Sequence, residues 1–262
     1  MRVKANGIQI NYSVEGEGPW VIMSHSLACN LSMWDEQAAA LSKRYKVLRY
    51  DLRGHGGTDA PAGDYTFDML AYDAHALLEA LGVKSCHWVG LSIGGMIGQA
   101  FALKFPGVFK TLVLADTSSR NPPEAKPVWE ARVKTAREKG MEGVVEPTLQ
   151  RWLTEPYRKS HPETAARLAA MIRSTPVAGY AGCCAAIPTL NFTDRLKSIK
   201  VPTLVIVGEQ DPGAPPEVAK VIHQNIQGSE LVVIPSAAHI ANLEQTAAFN
   251  RALVSFLDKH RA

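Results

Sequence analysis

Three side chains distant in the sequence, Ser92, Asp211 and His239, have the types and chain order that break an acyl bond. A serine hydroxyl is a weak nucleophile at neutral pH and needs a base to take its proton. That base is typically a histidine held by a carboxylate on its far nitrogen. Ser92 lies in Gly90-Leu91-Ser92-Ile93-Gly94, after the apolar run Cys86, Trp88, Val89 and before a helix-compatible run from Met96 to Phe105. A serine on a sharp turn between a buried strand and a helix is a nucleophile elbow. Gly90 and Gly94 flank it because Cβ atoms there would clash in so tight a turn. The following helix aims its amide end at the serine, where an oxyanion would form.

In chains with this elbow the acid and the histidine follow the serine in that order. Asp211 sits in Gly208-Glu209-Gln210-Asp211-Pro212, just past the strand-like run 203–207, and His239 ends Pro235-Ser236-Ala237-Ala238-His239. Both positions fall at carboxyl ends of strands, on the edge that carries Ser92. Asp116 also ends a strand and is the alternative acid; Glu209 is placed less well, along a tight turn. His25 and His55 lie in strand-end loops and are expected to brace the site through backbone hydrogen bonds. His75, His87 and His223 fall inside regular elements and read as structural. The oxyanion donors are expected to be the backbone N–H of Ile93 and one from the loop after the run 20–23, with Leu27 as the candidate.

The elements that must position these groups follow from periodicity. Residues 2–5 and 8–14 alternate around Asn6-Gly7, a hairpin signal. Strands are expected at 20–23, 46–50, 86–89, 111–115, 203–207 and 231–234. Helices are expected at 31–43, 67–81, after Ser92, near 215–226 and at 241–259. Alternation of this kind implies right-handed crossovers and a mainly parallel sheet. Between 120 and 190 the rhythm breaks into amphipathic helices, which the prolines at 122, 123, 127, 147, 156, 162, 176 and 188 are expected to divide into short pieces. An all-helical insertion in such a sheet is most simply a lid over the strand ends. The expected division is therefore a core of 1–119 and 191–262 and a lid of 120–190.

The 262 residues, 46% hydrophobic, suffice for one large α/β domain. A net charge of +3 gives no ground for a nucleic-acid or membrane partner. No signal-peptide core or membrane-spanning run is visible, and Cys29, Cys86, Cys183 and Cys184 lack disulfide or metal spacing, so a cytoplasmic protein with free thiols and no metal or cofactor is expected.

Together with Asp51-Leu52-Arg53-Gly54-His55-Gly56, the elbow and the late Asp211 and His239 resemble the α/β-hydrolase superfamily over essentially the whole chain. That resemblance implies a mainly parallel eight-stranded sheet with helices on both faces. Ser26-Leu27, Leu31-Ser32-Met33-Trp34, Val47 to Asp51, the segments 142–152 and 179–187, and Ala238 to Asn242 are similar to the 3-oxoadipate enol-lactonases of aromatic catabolism. Ser26 departs from the wider superfamily, where His-Gly is common, and is expected to alter how the oxyanion loop bends. The resemblance implies a lactone or ester substrate. A broad carboxylesterase is the alternative, and a non-turnover receptor on the same fold a further one. The expected lid holds eleven Lys and Arg against seven Glu and no Asp, which suits a substrate that carries a carboxylate. Arg132 and Arg151, beside Trp129 and Trp152, are the candidate substrate-binding residues; solvated lid charges and packed tryptophans are the plainer alternative.

Overall fold

A computed structural model describes residues 1–261 as eight strands and eleven α-helices, with three short 3-10 turns. The hairpin forms as its turn signal requires: β1 (Arg2–Ala5) pairs antiparallel with β2 (Ile8–Glu15), and Asn6 takes φ 46° with Gly7 at φ 80°. Then come β3 (Trp20–Ser24), α1 (Asp35–Leu41), β4 (Lys46–Tyr50), α2 (Phe67–Ala80), β5 (Cys86–Leu91), α3 (Ile93–Lys104) and β6 (Phe109–Ala115). The sheet order is β1-β2-β4-β3-β5-β6, completed by β7 (Thr203–Gly208) and β8 (Glu230–Ile234). From β4 onward every neighbouring pair is parallel. This explains why β5 and β7 are buried along their whole length: both sheet faces are covered.

Five helices intervene between β6 and β7: α4 (Ala125–Lys139), α5 (Glu142–Trp152), α6 (Glu155–Ser160), α7 (Pro162–Ser174) and α8 (Val177–Ala186). The chain closes with α9 (Pro216–Asn225), α10 (Ala241–Glu244) and α11 (Thr246–Lys259). Helices α1 and α11 pack together, while α2 and α3 pair elsewhere and a 3-10 turn at Thr193–Ser198 joins α3 to α9.

Two local expectations need correction. Pro156, Pro162 and Pro176 do start helices, but Pro127 and Pro147 lie within them. Pro127 is in the first turn of α4, where no amide is owed a partner. Pro147 sits in mid-α5; the carbonyl it cannot bond belongs to Gly143, and Val144, Val145, Leu149 and Trp152 are buried around it, so tertiary packing overrides the local cost. The expected last helix is also two, because Gln245 leaves helical geometry at φ −128°, ψ 54°.

The core is organised on Trp88 of β5. Its ring meets Tyr50, Phe101 and Phe109 at centroid distances of 6.3, 5.8 and 5.3 Å. Gly98 lets α3 approach that ring, since a Cβ there would stand 2.4 Å from the Trp88 indole nitrogen. The loop after β4 is built on Asp51, whose carboxylate accepts from the amides of Leu31 (2.7 Å) and Gly57 (2.8 Å) and from Asn11 Nδ2 (2.7 Å). Its Gly54 touches Gly179 of α8, where an added Cβ would come within 2.3 Å of the Gly179 backbone. Thus α8 is seated on the core by a backbone-to-backbone contact.

Candidate active site

Ser92 joins β5 to α3 with φ 56° and ψ −120°, a conformation that costs a non-glycine residue roughly 1–3 kcal/mol and persists only where neighbours enforce it. The neighbours are visible. Ser92 N donates to the Ala115 carbonyl (2.9 Å), and its own carbonyl accepts from Thr117 Oγ1 (2.7 Å). A Cβ on Gly90 would lie 2.2 Å from the Gly94 oxygen, and one on Gly94 would lie 2.1 Å from the Ser24 oxygen. Gly90 is therefore demanded by the turn itself, and Gly94 by the close approach of the end of β3.

His239 Nε2 stands 2.9 Å from Ser92 Oγ, and its Nδ1 stands 2.7 Å from Asp211 Oδ2. A carboxylate only accepts, so the imidazole proton belongs on Nδ1, which leaves Nε2 free to accept from the serine. Asp211 is 2% exposed. Its other oxygen accepts from the amides of Gly213 (2.7 Å) and Ala214 (3.1 Å), which fix the carboxylate in orientation. Of the rivals, Glu209 turns away to accept from Ser236 N (3.1 Å). Asp116 is fully buried, accepts from Gly208 N (2.7 Å) and leaves its second oxygen unpartnered among the described residues. Burial, with the nearby Asp211, pushes the Asp116 carboxyl well above the usual range.

The loop carrying His239 is fastened to the helical insertion. Glu244 accepts from Ala238 N (2.9 Å) with one oxygen and from the Thr154 amide (3.0 Å) and hydroxyl with the other, while Ile240 N donates to the Trp152 carbonyl (3.0 Å). Glu244 was not foreseen; its only trace in sequence is a carboxylate directly after Ile240-Ala241-Asn242-Leu243.

On the opposite side, the loop after β3 brings up Ser26 and Leu27. The amides of Leu27 and Ile93 have no hydrogen-bond partner among the described residues, whereas those of Ala28 and Cys29 are taken by His55 Nε2 (3.0 Å) and the Ser26 carbonyl (3.2 Å). Two buried histidines hold this loop. His25 Nε2 accepts from Leu52 N (3.0 Å) while its Nδ1 donates to the Ser26 carbonyl (2.7 Å), and His55 Nδ1 donates to the Arg53 carbonyl (3.1 Å). Each must accept at Nε2 and so is neutral. Burial accordingly lowers His25 to about 4 and His55 to about 3.

Above these three side chains lies a cavity of about 280 Å³ lined by Ser26, Leu27, Ser92, Asp116 and His239 from the sheet edge, and by Trp129, Arg132, Arg151 and Trp152 from the insertion. Trp152 is buried, while Trp129 is half-buried with the Arg132 guanidinium 4.2 Å from its ring centre. Most cations of the insertion have carboxylate partners, such as Arg167 with Glu36 and Arg173 with Glu142. Arg132 and Arg151 have none among the described residues; Arg151 reaches only Thr148 Oγ1 (3.1 Å). Burial and the neighbouring Arg132 charge lower Arg151 to about 10. Two unpaired cations thus face one cavity, and an anion placed between them would relieve both. Among the described residues no group of His, Cys, Asp or Glu is placed to hold a metal, and no helix is long and apolar enough to cross a membrane.

A doubly wound sheet whose fifth strand in spatial order ends on a strained serine, with aspartate beyond the end of β7 and histidine beyond the end of β8, defines a class of hydrolases. The family model for the alpha/beta hydrolase fold matches residues 19–246, and the chain belongs to that family. It is 35% identical over 257 residues to 3-oxoadipate enol-lactonase 2 of Acinetobacter baylyi, covering 97% of this chain and 95% of that one. The enol-lactonase of Burkholderia xenovorans LB400 superposes with a TM-score of 0.95 at 37% identity, over 98% of this chain and 100% of the other. A thermophilic esterase from Thermogutta terrifontis, with malate bound, gives 0.96 at 31% identity over the whole of both chains.

Proposed function

We propose that the protein is a serine hydrolase that opens a carboxylate-bearing enol-lactone, of the 3-oxoadipate type, through an acyl-enzyme. His239 Nε2 takes the Ser92 proton as Oγ attacks the lactone carbonyl. The amides of Leu27 and Ile93 hold the oxyanion, each contributing about 3 kcal/mol in the transition state. The ring C–O bond then breaks, and His239 returns the proton to the departing enol oxygen. Tautomerisation of that enol to a ketone makes the opening hard to reverse. Water, deprotonated by the same imidazole, attacks the acyl-enzyme, and Ser92 recovers its proton as the acid leaves. Residues 120–190 act as the lid, with Trp129 and Trp152 flanking the ring and Arg132 receiving the carboxylate.

The observation that carries the substrate class is the pair Arg132 and Arg151 over the cavity of Ser92, without carboxylate partners among the described residues. The identity with enol-lactonases over nearly the full chain supports the same reading. The test compares kcat/KM for the enol-lactone and for its uncharged ester analogue. Replacing either arginine by alanine is expected to lower the first by about 10- to 100-fold, the worth of one charge-assisted hydrogen bond, and to leave the second within about threefold. Equal losses on both substrates would mean that the arginines merely support the lid. The second reading, an esterase of small uncharged substrates, is favoured by the likeness to the Thermogutta enzyme and predicts that the two substrates do not differ in the native enzyme.

A further inference from the structure

We infer that the side-chain hydroxyl of Ser26 is a third donor to the oxyanion, engaged in the transition state and idle before it. The inference rests on the acyl-enzyme reading and assigns a role to the residue at which this chain departs from His-Gly. Ser26 is 1% exposed, lines the cavity above Ser92, and its Oγ has no hydrogen-bond partner among the described residues. A buried, unmet hydroxyl is a cost to the fold, and one that borders a reaction site is there for a partner that arrives with the reaction.

The position is set by the sheet. Strand β3 runs parallel to β5 with Ser24 opposite Gly90, so Ser26 and Ser92 are each two residues past the last registered pair, on adjoining strand ends. Adjoining strands lie about 4.8 Å apart. The Ser26 backbone cannot drift, because its carbonyl accepts from both His25 Nδ1 (2.7 Å) and Cys29 N (3.2 Å). What remains free is rotation of the hydroxyl itself.

A planar carbonyl oxygen presents two lone pairs, which the amides of Leu27 and Ile93 can satisfy. A tetrahedral oxyanion presents three and carries the charge. A third donor therefore gains a partner only as the tetrahedral species forms, and its contribution belongs to kcat rather than to substrate binding.

The experiment uses p-nitrophenyl acetate, so it does not depend on the lactone assignment. In Ser26→Ala and Ser26→Cys, kcat should fall by on the order of 10- to 100-fold while KM stays within about threefold. Affinity for phenylboronic acid, which forms a tetrahedral adduct on Ser92, should fall by a similar factor. The melting temperature of Ser26→Ala should equal or exceed that of the native protein, since an unmet hydroxyl has been removed. A purely structural serine would instead lower the melting temperature and leave boronate affinity unchanged in the folded fraction; that result, or an undiminished kcat, would overturn the inference. Ser92→Ala is the control. If it remains active, the acyl-enzyme reading has failed; if it is inactive while both Ser26 variants keep full rate, only this inference has.

Discussion

Replacing Asp211 by asparagine should nearly extinguish turnover without disturbing the fold, and the hydrogen bonds around the carboxylate say why. Asp211 Oδ1 accepts from two amides, those of Gly213 and Ala214, while Oδ2 faces His239 Nδ1 at 2.7 Å. An asparagine keeps both amide contacts only if its carbonyl oxygen occupies the Oδ1 position. The reverse orientation would set its NH2 against two N–H donors, losing two hydrogen bonds of about 1 kcal/mol each. The NH2 is therefore forced toward Nδ1, which must turn acceptor, and the imidazole proton moves to Nε2. There it meets the Ser92 hydroxyl 2.9 Å away and can no longer take its proton. The wrong tautomer, together with loss of the charge that stabilises the imidazolium, is expected to lower kcat by about 10⁴-fold, or roughly 5 kcal/mol. Steady-state turnover of p-nitrophenyl acetate, with circular dichroism as the check on folding, is the assay. Retention of more than a tenth of the activity would refute the reasoning. It would point to Asp116, the other carboxyl bordering the cavity, as the group that supports the histidine.

Acid should weaken the fold well before it unfolds the average protein of this size. Burial lowers His25 and His87 to about 4 and His55 to about 3, against an unfolded value near 6.5. In that interval the unfolded chain binds more protons than the native one. The stability these residues confer is thus complete above pH 6.5 and drains away as pH falls toward 4. Calorimetric melting across that range should show the melting temperature falling with pH; a flat profile would contradict the neutral-histidine assignment. Glu244→Gln should cost about 1–3 kcal/mol and lower kcat on the order of tenfold, because one amide can no longer accept from Ala238 and Thr154 together. Chemical denaturation and turnover of the variant measure the two effects, and a variant with native kcat would detach Glu244 from the positioning of His239.

The meeting of Ser92, His239 and Asp211 was legible because each sits where a strand ends, and strand ends announce themselves locally through apolar runs followed by turn residues. The hairpin at Asn6-Gly7 was legible for the same reason. What sequence did not disclose depends on contacts between distant segments. Pro147 inside α5 is tolerated because Val144, Leu149 and Trp152 are buried around it, which a local propensity cannot weigh. The break at Gln245 has no proline or glycine to mark it. Glu244 matters because Thr154 and Ala238 meet in space. Ser26 could be flagged as a departure from a common pattern, but only the packing reveals that its hydroxyl has no partner among the described residues. Backbone donors such as the amides of Leu27 and Ile93 leave no side-chain signature at all.

The helices of the insertion are unequally committed to the molecule. Seven of the ten residues of α8 are buried against the core, whereas α4, which contributes Trp129 and Arg132 to the cavity, fully buries only Ala136 among fifteen. Substitutions along α4 therefore change the lining of the cavity more than the folding equilibrium. On the proposed reading, selection can reshape what the cavity accepts, one α4 position at a time, while Ser92, His239 and Asp211 stay intact beneath it.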